Sequence, residues 1–541
     1  MHARSLLRTF LALGLFVAAS ATGVLAQLQY PEGAATPRYL TDEERAWMAA
    51  NPTWNLRGST PPPTGPVRCV AEYEPMDGLL IAWEGPTAHL NILAQIARYA
   101  TTTGAANMYC VLDTTSEQTS ASATISAAGA DMSRVKFLVR TTDTIWIRDY
   151  GPRYILEGNC RAIVDHIYNR VRPNDDIFSA FFATYKGHTL YEIPLTHGGG
   201  NFHLDALGRS NATRLVVNEN PGLSETQIHN LWQSYQNVDT TLYDGFPTTI
   251  DSTQHIDMWM QVAADNVVLI SDFGTPTPGT ALATADTICE GAATLLGSRG
   301  YTVHRLPALS SGGTHYTFTN SVMCNNVVMI PSYASFTTQS TQALNTWRAA
   351  VPGKTVVQIN CDGIIASAGA LHCIVMHVPL APGGAVPTAY LKTPPGGQTY
   401  APAAPIDVMW NADDDVAVTG IDIALSLDGG LTFPVTLASN IAHDGAELVS
   451  APNVATTRGR IRVTARDAAG NVGSDMSATN ITITGTPCPG DLNADRAVDE
   501  SDLGILLTGW QQDGRGDTDG DDDTDEADLG TLLANWQATC P

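Results

Sequence analysis

The chain has 541 residues, too many for one ordinary domain, and its 54 acidic against 29 basic residues leave a formal charge of −25. That balance argues against nucleic acid or an anionic membrane surface as the partner. The excess is uneven: residues 486–541 hold 14 Asp and Glu against Arg496 and Arg515, a local balance of −12, so this tail needs its own explanation.

In chain order, Arg4 and Arg8 precede an apolar run over 11–19 and small residues leading to Val24-Leu-Ala26, the pattern of a secretory signal over 1–26. The run is short for a membrane span, so export with no transmembrane segment after cleavage is the expectation. Residues 27–66, with Pro61-Pro-Pro63, read as a linker or N-terminal arm. From 67 to about 380, apolar runs suited to buried strands (78–83, 135–139, 215–218, 267–271, 327–331, 374–378) alternate with helical stretches at 89–102, 224–235, 281–296 and 341–350. Such alternation predicts an α/β domain.

Residues 381–485 lose helical periodicity after a Pro- and Gly-rich boundary. Alternating strands at 406–410, 421–425 and 460–464, with turns at Asp428-Gly429 and Ala469-Gly470, fit an all-β immunoglobulin-like or fibronectin-like sandwich. Nine cysteines leave one unpaired, with Cys373 the candidate reactive thiol. Cys488 and Cys540 bracket the acidic tail as a staple, whereas pairings among the other six are not deducible from spacing.

The tail, 486–541, repeats at a period of 26: Gly490-Asp-Leu-Asn-Ala-Asp495 and Gly516-Asp-Thr-Asp-Gly-Asp521. Asp491, Asn493, Asp495, Asp499 and Asp502 place oxygens at positions 1, 3, 5, 9 and 12 of a calcium loop, and Asp517, Asp519, Asp521, Asp525 and Asp528 repeat the spacing. Position 12 is Asp rather than Glu, and one helix follows each loop. In that departure the tail resembles a type I dockerin, which implies Ca2+ in a small α-helical calcium-loop domain and a cohesin-like or cell-surface scaffold as partner.

Four clusters in the α/β region carry chemistry: Trp146-Ile-Arg-Asp149, His255-Ile-Asp257, Asn320 and Ala370-Leu-His-Cys373. Two carboxylates can hold a planar cation, a histidine can move protons, and a cysteine can supply a soft nucleophile. No further ligands at recognised spacing support a metal at His255 and Asp257. Gly198-Gly-Gly-Asn201 lacks a phosphate-binding context and reads as a tight turn.

In their joint order, Ala71-Glu-Tyr-Glu-Pro-Met76, Asp143-Thr-Ile-Trp-Ile-Arg-Asp-Tyr-Gly-Pro152, Gly198-Gly-Gly-Asn201, His255-Ile-Asp-Met-Trp259, Thr319-Asn-Ser-Val322 and Ser367-Ala-Gly-Ala-Leu-His-Cys373 resemble the guanidino-group-modifying superfamily. The branch is that of agmatine deiminases and bacterial peptidylarginine deiminases. The resemblance implies a five-bladed α/β propeller, the pentein fold, with no catalytic cofactor. It assigns Cys373 as nucleophile, His255 as general acid and base, Asp149 and Asp257 as guanidinium carboxylates, and Asn320 as a polar residue of the site. Strand-end capping is the structural alternative for Asn320. Trp146 could contact the substrate or simply fill the core.

Arg170 and Arg172, two apart, would point the same way from an extended segment and could clamp a carboxylate, as in the segment of bacterial peptidylarginine deiminases that they resemble. Agmatine has no carboxylate, and Gly-Ala-Leu-His precedes Cys373 where agmatine deiminases typically have Gly-Gly-Ile-His. The expectation is a secreted enzyme acting on peptide or protein arginine, preferably C-terminal. The alternatives are an agmatine or free-arginine deiminase and an inactive binding protein displayed through its tail.

Overall fold

A computed structural model describes residues 28–31 and 33–540, so the expected export signal lies outside the described residues. Between Val67 and Pro379 one plan recurs five times: an antiparallel strand pair, a crossover helix, and a third strand parallel to the second. The antiparallel pairs are Arg153–Glu157 with Cys160–Tyr168, His203–Leu204 with Arg209–Thr213, Met260–Ala264 with Val267–Asp272, Val322–Cys324 with Val327–Ser332, and Met376–Pro379 with Met76–Ala82. Their parallel partners are Thr189–His197, Asp239–Tyr243, Thr302–Pro307, Thr355–Asn360 and Asn107–Leu112. The last blade joins the two ends of the domain, since Met376 pairs with Leu80 and the ring closes.

The crossover helices follow from amphipathic sequence. Thr87–Thr101 buries Ile92, Leu93, Ile96 and Ala97, an i, i+3, i+4 face, against strands such as Asn107–Leu112. Helices Glu225–Gln236, Ala281–Ser298 and Thr337–Ala350 occupy the other anticipated stretches. Residues 215–218, expected as a strand, form the short helix Leu215–Glu219. The ladder ends just before it, where Arg214 N donates to the Tyr243 carbonyl, and only Val216 of the run is fully buried. The expected strand at 374–378 starts later, at Met376, because His372–Ile374 forms a 3-10 turn.

Residues 27–66 are not a bare linker. Thr41 and Glu44 form a capping box that starts helix Asp42–Ala50, and the chain before it runs into the centre of the ring.

Strands from Thr388 to Thr484 form two sheets around Ile406, Val408, Trp410, Ile423, Ile461 and Val463. Strand Pro405–Asp413 alternates exposed and buried residues before becoming wholly buried at Trp410–Asp413. That end docks on the ring: Arg161 Nε lies 2.9 Å from Asp413 Oδ2, and both side chains are buried. In the tail, helices Glu500–Gly509 and Glu526–Ala534 pack over Val498, Leu506 and Leu532, with Cys488 and Cys540 joined. Among the described residues no helix is long and apolar enough to cross a membrane.

Candidate active site

Each blade begins with a loop that delivers a polar side chain two to four residues before its first strand. The pairs are Asp149 before Arg153, Asn201 before His203, Asp257 before Met260, Asn320 before Val322 and Cys373 before Met376. The repeated blade therefore explains how residues hundreds of positions apart meet.

Asp149, Asp257 and Cys373, with His255, surround a guanidinium from the chain's own arm. Arg38, fully buried, places Nε 2.8 Å from Asp149 Oδ2 and Nη2 2.8 Å from Asp149 Oδ1, a bidentate grip. Asp257 takes Nη1 at 3.1 Å and Nη2 at 3.0 Å. Cys373 Sγ lies 2.6 Å from Nη1, and His255 Nδ1 lies 2.7 Å from Nη2. Every nitrogen of the planar cation thus meets an acceptor.

The electrostatics follow from burial and this one cation. Burial works to raise the pKa of Asp149 and Asp257, but Arg38 overrides it and holds both carboxyls below the ordinary range. Burial also pushes the Cys373 thiol up, with the charge of Arg38 opposing that push and the two carboxylates adding to it. For His255, burial and then Arg38 both favour the neutral ring, which fits a base accepting from Nη2 at Nδ1.

Asn320 lies against the nucleophile's turn and caps no strand end. Its Oδ1 accepts from His372 N at 3.0 Å and Ala370 N at 3.2 Å, shaping the nucleophile's turn, while its Nδ2 points at Cys373 Sγ at 3.0 Å. The three glycines owe their presence to close approach, not to a turn needing positive φ, since none of them has one. A Cβ at 198 would sit 2.7 Å from His255 Cε1, and one at 200 would overlap Nη2 of Arg38.

Three groups hold the arm's main chain. Trp146 Nε1 donates to the Thr36 carbonyl at 2.8 Å, Arg172 Nη2 to that of Pro37 at 2.7 Å, and Arg170 Nε to that of Arg38 at 3.1 Å. Arg170 and Arg172 do face the same way, but where a terminal carboxylate was anticipated they read peptide carbonyls. The carboxylate Arg172 does hold is Glu44, on the arm's own helix, at 2.8 Å. Trp146 also belongs to the core beneath Gly369.

A family profile for Porphyromonas-type peptidyl-arginine deiminases matches residues 68–379, more than half of the chain. The chain belongs to that family. Its activity class is accordingly hydrolysis of a C–N bond in an amidine. A relative in Streptomyces avermitilis, provisionally named an agmatine deiminase, is 23% identical over 349 residues, 59% of this chain and 99% of that one. Another in Selenomonas ruminantium, provisionally so named, is 22% identical over 289 residues, 45% of this chain and 76% of the relative. Among solved structures, an agmatine deiminase of Enterococcus faecalis aligns with a TM-score of 0.52 at 18% identity, covering 60% of this chain and 99% of that one. A protein of Porphyromonas gingivalis, provisionally described as an arginine deiminase, gives 0.51 at 20%, covering 58% and 98%. Both share the fold, the pentein.

Four residues of this deiminase escaped the sequence reading. Arg38 lies in a stretch without periodicity. Glu72, Arg148 and His372 sit inside quoted motifs but were given no role. His372 bridges Asp257 Oδ2 and Glu72 Oε1, each at 2.9 Å, and Arg148 Nη1 meets Glu72 Oε1 at 2.8 Å. The count of cysteines did not single out Cys373 either: Cys69, Cys110, Cys160, Cys289, Cys324 and Cys361 are also free and buried.

In the tail, the carboxylates of Asp517, Asp519 and Asp521 converge within 4.8 Å of one another, and the Arg458 guanidinium reaches Asp517. In the first loop, Asp491 keeps one buried carboxylate oxygen without a hydrogen-bond partner, while Asn493 and Asp495 bond to each other. Asp502 and Asp528 accept from the loop amides of Leu492 and Thr518, and Asp499 and Asp525 cap the helices. The converging carboxylates of the second loop form a donor set of hard oxygens that fits calcium.

Proposed function

We propose that the protein is a peptidyl-arginine deiminase that converts peptide arginine to citrulline and ammonia through a covalent intermediate on Cys373. The observation that carries this reading is the seating of Arg38, an arginine within a chain, with its guanidinium in the grip of Asp149 and Asp257 and its main chain read by Trp146, Arg170 and Arg172.

The chemistry proceeds from these contacts. The approaching cation favours thiolate, and the thiol proton passes to neutral His255. Sγ bonds to the guanidinium carbon, His255 returns the proton to Nη2, and that nitrogen leaves as ammonia. An amidino-thioether remains. Water then adds to the same carbon, giving its proton to His255, and the carbon–sulfur bond breaks to restore thiolate and release the ureido product. Asn320 Nδ2 supports negative charge on sulfur at both ends of the cycle. The carboxylates stay ionised and keep the carbon aligned.

A second reading, deimination of agmatine or free arginine, is favoured by the names of the relatives and by the fact that the guanidinium grip uses no main-chain atom of the substrate. Agmatine, however, would leave Trp146 Nε1 and the two arginines without the carbonyls they meet here. Comparing kcat/KM on an arginine peptide with that on agmatine decides between them: preference for agmatine would overturn the peptidyl reading. A C-terminal arginine would keep the Arg170 bond and add a charge, so preference for the terminal position is tested with the same peptides amidated.

The tail we read as two calcium loops of a dockerin-like module on an exported protein, docking to a cohesin-like or cell-surface scaffold. Its carboxylates supply no step of the reaction. Titrating calcium into chelated protein and following the tail's unfolding midpoint tests the loops; an unmoved midpoint would end that reading.

A further inference from the structure

We propose that Arg38 is a modification site of this protein's own catalytic centre: the N-terminal arm presents it to Cys373, which converts it in cis to citrulline, and that conversion opens the site to other substrates. This rests on the peptidyl reading above and extends it to the chain itself.

The arm is built as a delivery device rather than as a loose terminus. Helix Asp42–Ala50 is fixed at its start by the Thr41 and Glu44 capping box, and Glu44 accepts from both Tyr30 Oη at 3.0 Å and Arg172 Nε at 2.8 Å. Between these anchors, Arg38 N donates to the Ser367 carbonyl at 3.0 Å, in the loop leading to the nucleophile. Trp146, Arg172 and Arg170 then take three successive carbonyls, of residues 36, 37 and 38. Among the described residues, the guanidinium's hydrogen bonds and ion pairs all go to Asp149, Asp257, His255 and Cys373. A segment serving structure alone would not need to bring an arginine against a nucleophilic sulfur and a neutral histidine.

The atoms balance without any further reactant. Sγ bonds to Cζ of Arg38; Nη2 is protonated through His255 and departs as ammonia. Water supplies the oxygen, the Cζ–Sγ bond breaks, and the side chain becomes a neutral ureido group. In sum, guanidinium and water give citrulline and ammonium.

Release follows from charge. Asp149 and Asp257 are both fully desolvated and both satisfied by the Arg38 cation. A neutral ureido group offers them no charge, and its carbonyl oxygen would stand where a donor stood, so the converted arm binds far less well than the arginine form. The seam under the arm is already incompletely packed: a cavity of about 430 Å3 lies between Trp47 and Trp54 of the arm and Ile167 and Val171 of the ring. Before conversion, a tethered arginine competes at an effective concentration on the order of millimolar, so peptide added near micromolar levels is turned over about 10²-fold more slowly or worse.

The test is peptide mapping of the full chain by mass spectrometry, in the wild type and in Cys373→Ala, alongside turnover of an added arginine peptide by wild type, Arg38→Gln and Arg38→Lys. The proposal expects citrulline at 38 in the wild type and arginine at 38 in Cys373→Ala, including after incubation with active Arg38→Gln chain. It expects Arg38→Lys, a cation with no carbon to attack, to stay about 10²-fold slower on peptide than Arg38→Gln. Arginine at 38 in a wild type that deiminates added peptide overturns the inference and leaves the enzymatic reading intact. Conversion of the Cys373→Ala chain by another molecule overturns the cis assignment. Arginine at 38 together with no peptide turnover by wild type or Arg38→Gln overturns both this inference and the reading beneath it.

Discussion

His372 stands directly behind Asp257, with Nδ1 2.9 Å from the carboxylate that grips the guanidinium and Nε2 2.9 Å from Glu72. It touches no atom of the bound cation, so its effect must pass through Asp257. Glu72 in turn is held by Arg148, whose Nη2 lies 2.8 Å from His377 Nδ1. Burial favours protonating Glu72, yet Arg148 and His372 keep it ionised. His372→Ala should therefore lower kcat/KM about 10–100-fold, the usual scale for a residue that orients a ligand. Most of the loss should fall in KM, and His372→Gln should recover part of it. Equal losses in both variants confined to kcat would count against a positioning role.

Asn320→Ala removes the Nδ2 bond to Cys373 Sγ and the acceptor that shapes residues 370–373. A hydrogen bond to a charged partner contributes about 1.5–3 kcal/mol, so kcat should fall roughly 10–150-fold. Asn320→Asp keeps the acceptor but sets a further negative charge beside the thiolate, and should be worse than alanine. If aspartate retains activity that alanine loses, the residue matters only for the turn.

Gly200→Ala is predicted to abolish guanidinium binding while sparing the fold. The added Cβ would meet Asp149 Oδ1 at 2.8 Å and Asp257 Oδ2 at 2.7 Å, and would overlap the cation itself. Position 200 has ordinary negative φ, so alanine strains no backbone there. Normal thermal unfolding with no measurable binding of an arginine peptide is the expected pair of results; a large drop in Tm would mean the glycine is structural.

The cluster around the guanidinium was legible because each member lies in a short motif of polar residues within apolar sequence, and the fivefold blade plan brings such loops to one centre. Arg38 was not legible. Nothing in 34–40 has a period, and a lone arginine in a Pro-rich arm looks like solvated surface. Thr41 and Glu44 did spell a capping box that would have announced the helix after it, but not where the chain before it goes. The seat of the sandwich was hidden for another reason: Arg161 and Asp413 are 252 positions apart, and charge complementarity over that distance is a property of the assembled surface.

The pH dependence of kcat/KM should rise toward alkaline pH. Burial raises the Cys373 thiol in the presence of Arg38, and removing that cation removes the charge that opposes the rise. A raised value means the inactive protonated thiol persists to higher pH, so activity is gained, not lost, as pH increases. In Arg38→Gln, the half-rise should lie above the ordinary cysteine value of about 8.5. Measured kcat/KM that is already flat by about pH 7 would show a thiolate stabilised before substrate arrives, contrary to the buried and acid-flanked setting.

Asp413→Ala should be among the most destabilising single changes in the chain, and its effect should reach the active site. Arg161 Nε and Nη2 each lie 2.9 Å from Asp413, while Nη1 donates to the Pro379 carbonyl at 2.8 Å. Truncating the acid strands a buried guanidinium and costs about 3–5 kcal/mol, whereas replacing both partners by apolar residues of similar volume is often neutral. Arg161 is the second residue of the strand that carries His166, whose burial drives its pKa down to about 3 and whose Nε2 meets the Asp149 carbonyl at 2.8 Å. Displacing the first residues of that strand therefore loosens the support of Asp149. Urea unfolding and KM for an arginine peptide, measured on Asp413→Ala and on the pair Arg161→Met with Asp413→Leu, separate these effects. The single variant should lose both stability and affinity, and the pair should regain most of the stability. If the pair is as unstable as the single variant, the contact is needed for its hydrogen bonds to Pro379 and its neighbours rather than for charge balance.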